Sequence, residues 1–356
     1  MHKNQILSIF FLLVLLSSCK KSSHQIIIDC EENKVGNSII KWEITPQPEG
    51  YVRVYAGDSP YTISEDIPVG MAKVEEQKLI IVNNEPTNRQ FYSVRFNDDT
   101  RMIVASHNIN INNVQNFRDL GGYLVYPERQ SVKWGQFFRT GKLDQIDEAG
   151  VAKLKSMHIK SIIDIRPQGS QQVNEELKKH FNLYAIPIET GAKRDMLMSQ
   201  IAQKKLTRSQ LKNIMKGLYA ELIHDNKNQI RTIFSLLLDA SNYPIILEGT
   251  TGKGQVAVIS YLLLRLLGIS EKVATADYMR SNEFIDISSA SIYASQLSSR
   301  GQEALTALLL AHEDYIGAVV QVIKSDYGSI ESYFIEGLGF TNQEVIKLQT
   351  MLLEAR

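Results

Sequence analysis

Pro244-Ile245-Ile246-Leu247-Glu248-Gly249-Thr250-Thr251-Gly252-Lys253-Gly254-Gln255-Val256-Ala257 is the stretch that decides the fold. An apolar run enters a segment with glycines at 249, 252 and 254, and the helical apolar pattern from Val256 to Leu267 follows, with Gly268 placed to cap it. A buried strand that turns through glycines straight into a helix aims several backbone N–H groups and the positive end of the helix dipole at one point. Such a point suits an anion, typically phosphate. The same spacing also serves as a strand-to-helix turn with no ligand. It is not a Walker A loop, because Leu247 stands where the first glycine belongs and Gly254 where a Ser or Thr is required.

Working outward, the neighbouring segments alternate between two periods. Ile146, Val151, Leu154 and Met157 fall at helical spacing, and Ser161-Ile162-Ile163-Asp164-Ile165 is a short β-branched strand after them. Leu211 to Ile223 and Ile230 to Leu238 read as two amphipathic helices that precede the 244–247 strand, and further helices follow from about residue 303. Strand and helix in alternation predict an α/β layer structure with a largely parallel central sheet.

Three further stretches bring in a family. Asn116-Phe117-Arg118-Asp119-Leu120-Gly121-Gly122-Tyr123, Phe138-Arg139-Thr140-Gly141-Lys142-Leu143 and Ile163-Asp164-Ile165-Arg166 together resemble the bacterial tyrosine phosphatases of the dual-specificity-like type, which also show lipid-phosphatase character. Asp326-Tyr327-Gly328-Ser329 and Glu336-Gly337-Leu338-Gly339 fit the same family, so the resemblance runs in order from about residue 110 to 355. It implies a cysteine-phosphatase-like domain over 110–356, and a phosphate loop that in the family reads His-Cys-x-Ala-Gly-Lys-Asp-Arg-Thr-Gly.

This chain departs from that loop at the atoms that do the work. Gly249 stands at the nucleophile position, so no thiolate can attack phosphorus. Gln255 stands at the arginine position, which removes the bidentate clamp on two phosphate oxygens. Glu248 replaces the histidine and Gly254 the aspartate, while Gly252 and Lys253 are kept. Removing a nucleophile alone costs on the order of 10⁶ in rate. The expectation is a pseudophosphatase with no confident catalytic residue, whose Gly249, Thr250, Thr251, Gly252, Lys253, Gly254 and Gln255 still hold a phosphorylated protein, lipid or small molecule. Loss of a buried charge clamp costs about 2 to 5 kcal/mol of affinity. Asp164 matches a family aspartate and reads equally as a remnant acid or a capping carboxylate. Arg118 and Asp119 read equally as site-facing or as braces of the Gly121-Gly122 turn.

Upstream, residues 26–106 are strand-like throughout. Ile26 to Cys30, Ile40/Trp42/Ile44, Val52/Val54, Leu79 to Val82, Tyr92/Val94/Phe96 and Met102 to Ala105 make about six short strands, punctuated by Pro46 to Gly50, Gly57 to Pro60 and Asn97 to Asp99. That spacing predicts a small all-β sandwich of the immunoglobulin or fibronectin type III kind. Residues 1–19 read as a lipoprotein signal: Lys3, the eleven-residue apolar run Ile6 to Leu16, too short for a spanning helix, and a lipobox Leu16-Ser17-Ser18-Cys19. Lipidation of Cys19 would anchor the chain as an extracytoplasmic cell-envelope lipoprotein. Cys30 is then the sole free thiol, and it reads as a small buried hydrophobe in its strand.

Lys+Arg and Asp+Glu both number 39, with no like-charge run, so nucleic acid is not an expected partner. His107, His158, His180, His224 and His312 lack metal-ligand spacing, and neither a metal nor a cofactor is expected. Two other readings stay open. In one, the domain is an active phosphatase that uses a different nucleophile or a water activated by Asp164 or Glu248. In the other, it is a structural surface protein acting through the sandwich.

Overall fold

The computed structural model describes residues 25–355 apart from 34, 85–87, 98–99, 172–173 and 191–193. The signal reading and Cys19 lie outside the described residues. The first half consists of β1 (Gln25–Glu32), β2 (Ser38–Thr45), β3 (Tyr51–Gly57), β4 (Gly70–Lys73), β5 (Lys78–Ile81), β6 (Phe91–Arg95) and β7 (Arg101–Val104). They form two antiparallel sheets, ordered β1-β2-β5 and β4-β3-β6-β7. Burial alternates along β2, so Ile40, Trp42 and Ile44 face inward and join Val52, Val54 and Val94 of the other sheet in one core. Trp42 and Tyr92 carry polar tips into that core, and each finds a partner: indole Nε1 donates to Val74 O at 2.8 Å, and the phenol donates to Ser38 Oγ at 2.8 Å. Cys30 lies in the same core, and burial pushes its thiol pKa up. The sequence pattern yields six strands here, and the seventh is β4. Four residues that include Gly70 and Lys73, with Met71 turned to solvent, carry too little alternation to read.

The second half begins with β8 (Arg118–Asp119), the hairpin β9 (Leu124–Val125) and β10 (Gln130–Val132), and β11 (Phe137–Thr140). Then follow α1 (Glu148–Ser156), β12 (Ser161–Asp164), α2 (Glu175–His180), β13 (Asn182–Ala185), α3 (Arg194–Ala202), α4 (Arg208–Asp225), α5 (Lys227–Leu237), β14 (Ile245–Glu248), α6 (Gln255–Leu266) and α7 (Glu271–Met279). The chain closes with α8 (Ser281–Phe284), α9 (Ser288–Ser295), α10 (Ser299–Leu309), α11 (Glu313–Tyr327), α12 (Ile330–Ser332), α13 (Asn342–Leu352) and β15 (Leu353–Ala355), which pairs with β10.

The central sheet is ordered β13-β12-β14-β11-β8, with four parallel strands and β8 antiparallel at the edge. β14 sits in the middle, covered on both faces. Ile245 and Leu247 join the core built around α6, and Ile246 joins the opposite core with Val151 and Leu154 of α1. From Val256 to Leu264 every residue of α6 is buried. A helix apolar all round belongs inside, and truncating one such side chain, for example Ile259→Ala, costs about 2 to 5 kcal/mol. This packing holds the end of β14 and the start of α6 in the core, so the 249–254 loop spans two buried anchor points.

Candidate functional site

The scaffold holds the loop from outside by its carbonyls. Lys142 N donates to Thr250 O at 3.4 Å, Asn116 Nδ2 to Thr251 O at 3.1 Å and Arg139 Nη2 to Gly252 O at 2.6 Å. In a trans peptide C=O and N–H point opposite ways, so tying these oxygens outward turns the next N–H groups toward the loop interior. Among the described residues, the amides of Thr250, Thr251, Gly252, Gly254, Gln255 and Val256 meet no acceptor. The last two are the first N–H groups of α6, which have no partner within their own helix. Gly252 is required for this path. Its φ is +68°, and a β-carbon there would stand 2.8 Å from both Thr140 C and Asn116 Nδ2.

Behind the loop, α7 supplies Asp277. Its Oδ1 accepts from Arg118 Nη1 at 2.8 Å and from the Tyr123 hydroxyl at 3.0 Å, and its Oδ2 accepts from Arg139 Nη1 at 2.6 Å. Arg118 also donates through Nε to Asn116 Oδ1 and through Nη2 to Ser281 Oγ. Both guanidinium groups have no exposed surface, and a charge so placed has to be paired. Burial opposes ionisation of Asp277, but Arg118 and Arg139 outweigh it and hold the carboxyl at about 2. Two clamps on the loop, Asn116 and Arg139, therefore hang from one buried carboxylate.

A second charged cluster lies at the carboxyl ends of β12 and β14. Arg166 contacts three carboxylates: Asp144 through Nη1, Asp164 through Nη2 at 2.7 Å and Glu248 through Nη2 at 3.3 Å. Glu248 Oε1 also accepts from Leu143 N at 2.9 Å. By strand alternation its carboxyl lies on the Ile246 face of the sheet, away from α6, and does not plug the loop. Burial first, and then the neighbouring Asp164, raise its pKa to about 7, although Arg166 works in the other direction.

Several expected site residues stand elsewhere than the sequence reading places them. Lys253 is not a charge held over the cradle. Its ammonium donates to the carbonyls of Leu308, Leu309 and Leu310 at 2.8, 2.9 and 3.3 Å, where the end of α10 offers acceptors and negative dipole. The Gly249 amide extends the sheet by donating to Thr140 O at 3.2 Å and so leaves the cradle. Asp164 gives both carboxylate oxygens to Arg166. Arg118 and Asp119 are braces: the Asp119 carboxylate accepts from the amides of Gly121 and Gly135, both at 2.8 Å. Gln255 is half-buried at the start of α6, with Nε2 3.5 Å from Ile188 O.

Of the side chains that shape the site, Asn116 and Arg139 appear in the sequence only as motif residues with no role assigned, and Asp144 and Asp277 are not singled out at all. For Asp277 one signal existed. Two arginines inside strand-forming motifs demand a buried carboxylate, but nothing in the sequence says where it comes from.

A parallel sheet whose middle strand runs through a glycine loop into a buried helix defines an α/β protein with its site at the strand's carboxyl end. The sequence profile of the tyrosine phosphatase family matches residues 109–354, and the chain belongs to that family. A putative tyrosine-protein phosphatase of Cupriavidus necator is 23% identical over 242 residues, which cover 66% of this chain and 86% of the relative. The triple specificity protein phosphatase PtpB of Mycobacterium tuberculosis is 23% identical over 275 residues, covering 67% and 96%. Among solved structures, the core catalytic domain of the PP-IP phosphatase Siw14 from S. cerevisiae, in complex with citrate, aligns with a TM-score of 0.31 at 12% identity, over 62% of this chain and 96% of that one. TpbA of P. aeruginosa in complex with pTyr aligns with a TM-score of 0.25 at 10% identity, over 57% and 95%.

Proposed function

We propose that this chain is a pseudophosphatase, which takes the phosphoryl group of a phosphorylated protein, lipid or small molecule into the 250–256 loop and does not hydrolyse it. The observation that carries the reading is the pairing of loop amides that have no protein acceptor among the described residues with an absent nucleophile. The carbonyls of Thr250, Thr251 and Gly252 are tied to the scaffold, while position 249 offers phosphorus no atom to bond with. The amides of Thr250 to Gly252 and Gly254 to Val256 and the start of α6 are the binding groups, with the Gln255 side chain in place of an arginine. Lys253 contributes by fixing the loop against α10.

The neutral Gln255 and the Arg166 cluster, with three carboxylates to one guanidinium, leave little positive charge for a dianion. Affinity is accordingly modest. Water activation by Asp164 is disfavoured because Arg166 takes both of its carboxylate oxygens, and by Glu248 because its Oε1 is shared by Leu143 N and Arg166 and its carboxyl lies on the face of the sheet away from α6. The strand order β1-β2-β5 facing β4-β3-β6-β7 supports a fibronectin-type sandwich that presents the domain from the envelope. The sequence at 6–19 supports lipidation at Cys19 and an extracytoplasmic site.

The test is a melting curve with and without phosphotyrosine, alongside phosphate release from an aryl phosphate. A saturable rise in Tm with release at blank level supports the reading, and turnover that scales with protein overturns it.

A further inference from the structure

The two halves of the chain meet at a buried ion pair. Arg89, just before β6, places Nη2 2.6 Å from Asp119 Oδ2, with side-chain exposures of 8% and 0%. The guanidinium also lies over the rings of Phe91, Trp134 and Phe138, at 4.6, 5.7 and 5.5 Å from their centroids. Phe91 belongs to the sandwich and the other two rings to the α/β half. Asp119 is bound on every side: Gly121 N and Gly135 N donate to its carboxylate, and its own amide donates to His107 O at 2.9 Å.

Asp119 follows Arg118 in β8, and the pairing of β8 with β11 sets Arg118 opposite Arg139. Arg118 and Arg139 share Asp277, and through Asn116 and Arg139 they fix Thr251 O and Gly252 O. Two sets of buried polar contacts, Arg89–Asp119 on one side and Arg118, Arg139 and Asp277 on the other, are thus joined by the short β8 backbone and lead from the sandwich to the outer carbonyls of the loop. Without Arg89, the Asp119 carboxylate would keep two amide donors but no counter-charge, which a fully buried anion tolerates poorly.

We infer that Arg89 is a positioning residue for the loop, acting through Asp119 and β8, so that the β-sandwich is a working part of the site and not only a spacer. The geometric part of this inference stands apart from the proposed function, and its binding arm rests on that reading.

The experiment compares the full wild-type chain with Arg89→Met, Arg89→Lys and, as a control, Val94→Ala in the sandwich core away from the junction. Hydrogen–deuterium exchange of the Lys142 and Gly249 amides, which bond to Thr250 O and Thr140 O and so report how firmly the loop is held, is followed by NMR without ligand, and inorganic phosphate is then titrated. Arg89→Met is expected to speed loop exchange at least tenfold and weaken phosphate binding about tenfold. Arg89→Lys should fall between it and wild type, and Val94→Ala should leave the loop unchanged. Wild-type exchange in Arg89→Met overturns the inference, as does equal acceleration by Val94→Ala. If Arg89→Met does not fold, Arg89→Lys decides the matter: wild-type loop exchange in it overturns the inference, and acceleration supports it. Wild-type protein that takes up no phosphate overturns the oxyanion reading alone, because the exchange arm still decides the coupling.

Discussion

Val256 holds its Cγ2 methyl 2.5 Å from the place where a β-carbon on Gly249 would stand. A side chain at position 249 therefore meets one methyl from the first turn of α6 in the space its β-carbon would need.

The contact makes a stability prediction. Gly249→Ala forces the methyl of Val256 aside, and overpacking of this kind costs about 1 to 3 kcal/mol. Adding Val256→Ala removes the obstacle, so the double mutant should be more stable than the two single effects add up to, by about 1 kcal/mol. Urea denaturation of the four proteins measures this coupling, and strict additivity would show that the loop has room to spare.

Glu248 makes stability depend on pH near neutrality. Its folded pKa of about 7 lies above the ordinary carboxyl value of 4.5, so the native state holds the proton more tightly. The stability this gives is full below pH 4.5 and lost as pH rises through 7. Glu248→Gln does not titrate and should gain on wild type by about 3 kcal/mol between pH 4.5 and pH 8. Denaturation midpoints at the two pH values check this, and a pH-independent gap contradicts it.

Asp277 behaves in the opposite sense. Its carboxyl is held at about 2, below the ordinary 3.8, so its contribution is present above pH 3.8 and disappears as pH falls toward 2. Asp277→Asn should cost several kcal/mol at pH 7, because two buried guanidinium groups lose their charge partner. It should also lack about 2 kcal/mol of the acid-induced loss that wild type shows between pH 4 and pH 2. Acid titrations of both proteins, followed by circular dichroism, give the comparison.

Lys253→Met tests the loop's attachment to α10. Losing three charge-assisted bonds to carbonyls at a helix end should cost about 2 to 4 kcal/mol, while phosphate affinity, measured by calorimetry below the melting range, should change less than threefold. A tenfold loss of affinity would put the ammonium back among the binding groups.

These residues also mark how far the sequence could be read. The 245–266 unit was legible because a strand buried on both faces and a helix apolar all round leave continuous apolar runs with glycines between them. Lys253 was not, since its acceptors lie at 308–310 and nothing local distinguishes a helix-capping lysine from one that meets phosphate. The Glu248 carboxyl owes its raised pKa first to burial and then to Asp164 and Asp144, against the pull of Arg166, and only the folded sheet and its loops bring these together. Arg118 and Arg139 lie within readable motifs, but their shared partner sits on α7, more than a hundred residues away.

As proposed, the loop holds a phosphoryl group and has no atom with which to attack it. Phosphorus NMR of phosphotyrosine mixed with the purified chain reads both halves at once. The expected result is a phosphotyrosine resonance that shifts or broadens saturably with added protein, and no inorganic phosphate signal growing over hours. An unchanged phosphotyrosine line, or inorganic phosphate appearing in proportion to protein, would contradict it.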